Sequence, residues 1–372
     1  MAVTEDEILQ CRWLGREEGF TALEHEVVFR DLCCGCGACA AVCPDKVLEV
    51  DEFPKLTGKC TECGYCLVEC PRTFFDPEGI EEKLYGKVED QDLLGHIEVK
   101  VAARATNGKI RKVGQDGAFV TALLTYCLEK KLIDGAIVSG FNEDWKPSPM
   151  LVTSPKELMK SGGTRYSNCA SLSSLQDAKE KCLKKLAVVG LPCQIEGIRK
   201  IQHYPIEDVD LKGRIELTIG LFCKSNFLYE GLMRELLQKK YKLNLKKMKK
   251  IDIKGKKVIA YTEKGEVEIP LKEAHEHERK GCKVCWDFTS RLSDFSVGSV
   301  GTPSGYTTVL ARTKKAAKIL KNMEKDKALE IMKLDDVSNI ENLQNYKEKQ
   351  AVKATRRRIR EVLPSPYKHL KF

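Results

Sequence analysis

A chain of 372 residues with 42% hydrophobic and 31% charged residues is long enough for two or three domains and is not of disordered composition. It holds no run of about 18 apolar residues, so no helix is expected to span a membrane. The formal charge of +9 (63 Lys and Arg against 54 Asp and Glu) gathers in 239–257 and 353–360. It reads either as a solvated lysine-rich face or as an attraction for an anionic cofactor or acidic partner; without aromatic interleaving it argues against nucleic acid.

In chain order, the acidic opening MAVTEDEILQ lacks the apolar core of a signal peptide, which predicts a cytoplasmic protein. Seventeen cysteines in that setting point to metal rather than disulfides. Thr4 with Glu7 forms a capping box, so residues 1–25 read as a short docking helix that buries Cys11 and Trp13.

Residues 26–77 carry the strongest signal. Cys33, Cys36, Cys39 and Cys43 follow C-x2-C-x2-C-x3-C, with Pro44 next; Cys60, Cys63, Cys66 and Cys70 repeat the spacing, with Pro71 next. This is the bacterial two-cluster ferredoxin pattern. Three thiolates on one tight loop reach three corners of a cubane, and the fourth points to the other cluster. One [4Fe-4S] cluster is therefore expected on Cys33, Cys36, Cys39 and Cys70, the other on Cys60, Cys63, Cys66 and Cys43. Gly35, Gly37, Ala38, Ala40 and Gly64 let backbone N–H groups approach the sulfurs. Cys34 is out of phase and reads as a spare thiol. Zinc would want one tetrahedron rather than an interlocked octet.

Residues 78–96 are polar and acidic and read as a linker. Beyond them strands and helices alternate: strands at 97–106, 134–141, 184–192 and 215–223, and helices at 117–132, from about Cys193 and after Cys223. The fold class expected is α/β: the ferredoxin domain, then a larger α/β domain over 97–372. Gly255 and Gly265 mark a small antiparallel part. The turns at 114–124 and 161–168 place flexible backbone beside helix starts, where a phosphate or flavin ring could approach. Neither G-x-G-x-x-G nor Walker A is present.

Cys193 and Cys223 each end a predicted strand, where α/β sheets build their sites. Cys282 and Cys285 could complete a four-thiolate set with them, for a third iron–sulfur cluster, structural zinc or buried thiols. Cys127, Cys169 and Cys182 read as core, and His275 and His277 as surface.

Taken together, GQDGAFVTALL, LIDGAIVSG, GGTRYS, VVGLPCQIEGIRK, IGLFCKSNF, GCKVCWDF and DFSVGSVGTPSG occur in one order over 114–305. That ordered set resembles the coenzyme F420 hydrogenase/dehydrogenase beta-subunit family. The resemblance implies an FAD that exchanges hydride with coenzyme F420, and a third [4Fe-4S] cluster on Cys193, Cys223, Cys282 and Cys285. It offers Gly114, Asp116, Gly117 and Thr121, then Gly162, Gly163, Thr164, Arg165, Tyr166 and Ser167, for the flavin. Lys224, Arg165 and Lys280 are offered for the anionic deazaflavin.

Ala118 departs from the family's commoner glycine; Ser293 and Phe295 replace alanine and isoleucine. Fusion to a ferredoxin domain is similar to the electron-input subunit of the F420H2 dehydrogenase or the formate dehydrogenase beta subunit. It implies a partner subunit that takes or gives single electrons. Electron-input modules of glutamate synthase or sulfite reductase type, and a flavin-free ferredoxin, are the alternatives.

Overall fold

The computed structural model describes residues 19–88 and 92–362. Most of the expected docking helix, with Cys11 and Trp13, lies outside the described residues. A helix at Gly19–Leu23 runs on as a π-helical turn, Glu24–Val28. It buries Phe20, Leu23 and Val27 against Cys39, Cys43, Cys66 and Cys70. Two helices of one turn each follow, Ala38–Ala41 and Tyr65–Val68. A glycine in the left-handed region opens each one, Gly37 at φ 89° and Gly64 at φ 75°. Between them β1 (Leu48–Val50) pairs antiparallel with β2 (Pro54–Leu56).

The segment read as a linker is instead a packed strut. Asp76 accepts the Gly79 N–H at 3.0 Å and caps a helix over Pro77–Tyr85, which stops at Gly86 with φ 75°. Ile80 is fully buried with Ile195 and Leu292, and the buried Glu81 meets Arg291 at 3.0 Å. Polar composition concealed it because one apolar row, with the Asp-Pro start, is enough to seat a short helix.

The larger domain is built on eight strands: β3 (Val99–Ala105), β4 (Gly135–Phe141), β5 (Pro147–Val152), β6 (Leu186–Gly190), β7 (Ile215–Leu221), β11 (Phe295–Gly298), β12 (Thr307–Ala311) and β13 (Leu329–Lys333). They lie in the order β13-β3-β12-β11-β7-β6-β4-β5. The centre, β11-β7-β6-β4, is parallel; β12, β3, β13 and β5 join antiparallel. The mixed sheet agrees with an α/β chain, with more antiparallel pairing than the sequence suggested. A three-stranded antiparallel sheet, β8 (Met248–Lys254), β9 (Lys257–Thr262) and β10 (Gly265–Pro270), forms the small part expected there.

Helix Phe119–Glu129 covers the sheet, with Phe119 edge-on to Phe295 at 5.6 Å. Two of the three departures from the family pattern, Phe295 and Ser293, serve packing. Phe295 is fully buried, and Ser293 Oγ donates to the Ser290 carbonyl at 2.7 Å.

Candidate metal and cofactor site

The eight N-terminal cysteines separate into two spaces. Cys33, Cys36, Cys39 and Cys70 line one hollow together with Cys34. Cys43, Cys60, Cys63 and Cys66 line a second. This is the crossed division expected from the spacing, produced by the single-turn helices that carry each fourth cysteine past its own loop. Backbone donors face the sulfurs: Gly35 N to Cys33 Sγ at 3.4 Å, Glu62 N to Cys60 Sγ at 3.3 Å and Arg72 N to Cys70 Sγ at 3.4 Å.

Burial pushes the Cys66 and Cys70 thiols up to about 12, with neighbouring sulfurs adding to the effect at Cys66. Groups in this state release their protons to a metal rather than to water. Among the described residues, no group of three His, Cys, Asp or Glu could hold one metal ion. The sulfurs ring spaces instead of a point, a donor set suited to a polynuclear cluster.

The third set forms where three distant segments meet. Cys193 opens helix Pro192–His203 just beyond β6, and Cys223 follows the neighbouring β7. Cys282 and Cys285 come from the turn Lys280–Val284 and its end, packed on the long helix Ser338–Val362. The Asn226 N–H donates to Cys282 Sγ at 3.4 Å. Burial and nearby sulfurs, Cys223 and Cys285 among them, raise the Cys282 thiol to about 12.

Two buried cations attend this set. Lys347, from the long helix, donates to the Cys223 carbonyl, and the sulfurs of Cys285, Cys223 and Cys282 hold its ammonium protonated despite burial. Arg72 pairs with buried Glu196 at 3.4 Å and faces Cys34, Cys285 and Cys193. Lys347 is missed by sequence reasoning because it sits in a lysine-rich stretch that looks like surface.

The third set adjoins the first. A side chain at Gly281 would begin 2.7 Å from the Cys33 carbonyl oxygen, so the two cysteine loops are in backbone contact. Cys34, read from the sequence as a spare thiol, is buried within hydrogen-bonding reach of both Cys36 and Cys193, in the wall between the two sets. Cys127 and Cys169 are buried as expected, whereas Cys182 is exposed at the end of a helix.

The two glycine turns also meet. Gly162 lies against the Val113 carbonyl, directly before Gly114, and a side chain there would collide with it. Gly117 packs on Ala103 and Thr307, donating its N–H to Thr307 Oγ1 at 3.1 Å, so it serves the turn's seat on β3 and β12. Gly163 is exposed at φ 88°, and a side chain there would meet only Arg165 Nη1, at 3.9 Å. Ala118 occupies the left-handed region at φ 56°, which is why glycine suits the position.

Arg165 stacks on Phe141 at 4.0 Å and spends one nitrogen on the Ser161 carbonyl at 2.8 Å, while its Nε is buried without a partner. Burial lowers it to about 10. Tyr166 donates to Asp252 at 3.2 Å, and Asp252 adds to the burial that raises the Asp116 carboxyl. Thr121 and Ser167 are buried and Thr164 is half-buried. Lys224 is exposed over the Tyr346 ring at 5.1 Å, and Lys280 is paired with Asp31 at 2.9 Å. Asn168, next in the second turn, donates to the Gly35 carbonyl at 2.6 Å. The glycine turns and the first cysteine loop are thus joined at the carboxyl edge of the parallel strands.

Two family models match the chain, both of the coenzyme F420 hydrogenase/dehydrogenase beta subunit: its N-terminal part over residues 100–176, and its C-terminal part over 183–337. The chain is 37% identical over 281 residues to the beta subunit of the coenzyme F420 hydrogenase of Methanothermobacter thermautotrophicus, covering 74% of this chain and 100% of that protein. It is 30% identical over 305 residues to a subunit of the F(420)H(2) dehydrogenase of Methanosarcina mazei, covering 77% of this chain and 81% of that one. Similarity to the coenzyme F420-dependent sulfite reductase of Methanocaldococcus jannaschii is 38% over 350 residues and takes in 90% of this chain. The chain spans only 52% of that relative. Among solved structures, a chain of the F420-reducing [NiFe] hydrogenase complex from Methanosarcina barkeri superposes with a TM-score of 0.70 at 35% identity, covering 75% of this chain and 99% of that one.

Proposed function

The chain belongs to the coenzyme F420 hydrogenase/dehydrogenase beta-subunit family, and from that premise we propose that it is an iron–sulfur flavoprotein subunit linking coenzyme F420 to a partner polypeptide. FAD, when bound, exchanges hydride with F420 and hands electrons on singly, and [4Fe-4S] clusters carry them one at a time. The observation that carries this reading is the convergence of twelve cysteines, in three adjoining sets, beside two touching glycine turns.

In this scheme Cys33, Cys36, Cys39 and Cys70 hold the inner cluster of the N-terminal domain, and Cys43, Cys60, Cys63 and Cys66 the outer one. Cys193, Cys223, Cys282 and Cys285 hold the third, with Lys347 and Arg72 offsetting its negative charge. Gly114–Asp116 and Gly162–Tyr166 would hold the flavin. Gly163 leaves room for its close approach, and the free Nε of Arg165 offers a donor to an anionic group. No side chain need act as nucleophile or base. The basic excess draws in the anionic deazaflavin, and the cysteine-rich end serves as the exit toward the partner.

The test is a dye assay. Anaerobic protein with bound FAD should reduce a viologen with reduced F420 as donor, and far more slowly with NADH, for which the chain has no dinucleotide fingerprint. Equal rates with both donors, or none with F420, would reject the proposal.

A further inference from the structure

We propose that Arg279 is a buried counter-charge of the cluster held by Cys33, Cys36, Cys39 and Cys70, and that it helps set the potential of that inner cluster apart from the outer one. The inference rests on the iron–sulfur reading above. Arg279 is 1% exposed, and Nε, Nη1 and Nη2 of its guanidinium all lack a hydrogen-bond partner. No carboxylate reaches it among the described residues. A guanidinium cannot shed its proton to escape this situation, and an unpaired buried charge is strongly unfavourable. An anion is therefore required beside it.

The backbone fixes where that anion lies. The Arg279 N–H donates to the Asn226 carbonyl at 2.9 Å, and the Arg279 carbonyl accepts from Cys282 N at 2.9 Å, so the residue is anchored in the loop of the third set. Its side chain nevertheless reaches under the first loop. The guanidinium carbon lies 4.8 Å from the Phe53 ring centre and 3.2 Å from where a Cβ on Gly35 would stand. Gly35, at φ 65°, has no side chain to intervene, and the positive charge is felt at both Cys33 and Cys34. A thiolate-bound cluster supplies the missing anion.

The outer space differs. Neither space has a Lys or Arg in its lining, but the outer one carries Asp45 and Thr61 where the inner one has Gly35 with Arg279 behind it, and Cys60 and Cys63 are partly exposed. Reduction adds one negative charge to a cluster. A cation held in a low-dielectric interior stabilises the reduced form more than the oxidised form. The inner cluster is thereby made easier to reduce than its outer neighbour.

A redox titration of the full chain, followed by electron paramagnetic resonance, tests this. Signals are assigned with Cys63→Ser, which removes a ligand of the outer cluster alone, and Cys193→Ser, which removes one of the third cluster alone. Arg279→Gln should make reduction of the inner cluster about tenfold less favourable, ~59 mV for a one-electron couple. The outer cluster should stay in place, and Arg279→Lys should remain near wild type. Full iron content with an unmoved inner potential would overturn the inference, as would equal shifts of both clusters. Loss of the inner cluster in Arg279→Gln and Arg279→Lys alike would show a packing role and overturn it too. Wild-type protein without iron after anaerobic reconstitution would overturn the iron–sulfur reading itself, and this inference with it.

Discussion

The cysteine-rich end and the eight-stranded domain reach their sites by opposite routes. In residues 19–76 the cysteines come first. Helices of one turn hang between cysteines, and four of the nine buried residues of that small core are themselves cysteines. In the larger domain the fold comes first. A core centred on Phe119, Leu123 and Phe295 stands without any of the cysteine ligands, and the site is laid on its carboxyl edge by Cys193, Cys223, Cys282 and Cys285. Where ligands make the core, losing the metal means losing the structure; where the core carries the ligands, the two can be separated.

The most forceful way to break that contrast is to remove one ligand from each region. Cys36→Ser should cost about four irons and open the N-terminal region to protease, because its core loses the cluster that organises it. Cys193→Ser should cost a similar amount of iron, yet leave the secondary structure measured by circular dichroism unchanged. If both variants unfold to the same extent, the distinction between the regions fails.

Phe295→Ala is the converse. It removes a fully buried ring from the sheet without touching a ligand. We expect a loss of about 3–5 kcal/mol in denaturant unfolding with iron content retained.

A smaller effect separates the larger domain by pH. His203, half-buried at the end of its helix, is lowered to about 4 by burial and by the charges of Arg199, Lys83 and Lys212. Its folded value lies below the ordinary one near 6.5, so between about 6.5 and 4 the unfolded chain binds the proton and the folded chain does not. Stability from this residue is present above that window and lost as pH falls through it. After allowance for solvent screening, the loss is about 1–2 kcal/mol. His203→Asn should flatten the dependence of the melting temperature over that range. An identical slope in both proteins would contradict the assignment.

The least effect is expected at Ala118. Relief of its left-handed conformation, at φ 56°, competes with the greater chain entropy of glycine, so Ala118→Gly should stabilise by no more than about 1 kcal/mol.

The same contrast decides what could be read from sequence. The N-terminal sets were legible because their spacing is local and repeated, and the structure gathers the eight sulfurs into two groups of four. Cys193, Cys223 and the Cys282–Cys285 pair are separated by 30 to 59 residues. Nothing local joins them, and the family resemblance is what favoured a cluster there over zinc or buried thiols. The cations were hidden altogether. Arg279 stands in HERKGCK and Lys347 in NYKEKQ, strings whose composition says surface, and only tertiary packing turns one member of each inward. Helix Pro77–Tyr85 was missed for the related reason that one buried row, Ile80 with Leu84, carries little periodic signal. The antiparallel addition of β12, β3 and β13 had no signal at all, since a strand's partner is not written in its own residues.

Anaerobic stopped-flow mixing of the full chain, loaded with FAD and iron, with reduced coenzyme F420 and no partner tests the central claim most directly. The account predicts that the flavin absorbance bleaches first and the broad cluster absorbance near 400 nm follows in the same reaction (~400 nm being the region such clusters absorb). Bleaching of the flavin while the clusters stay oxidised would contradict it, because hydride chemistry in the larger domain would then have no electrical connection to the cysteine-rich end.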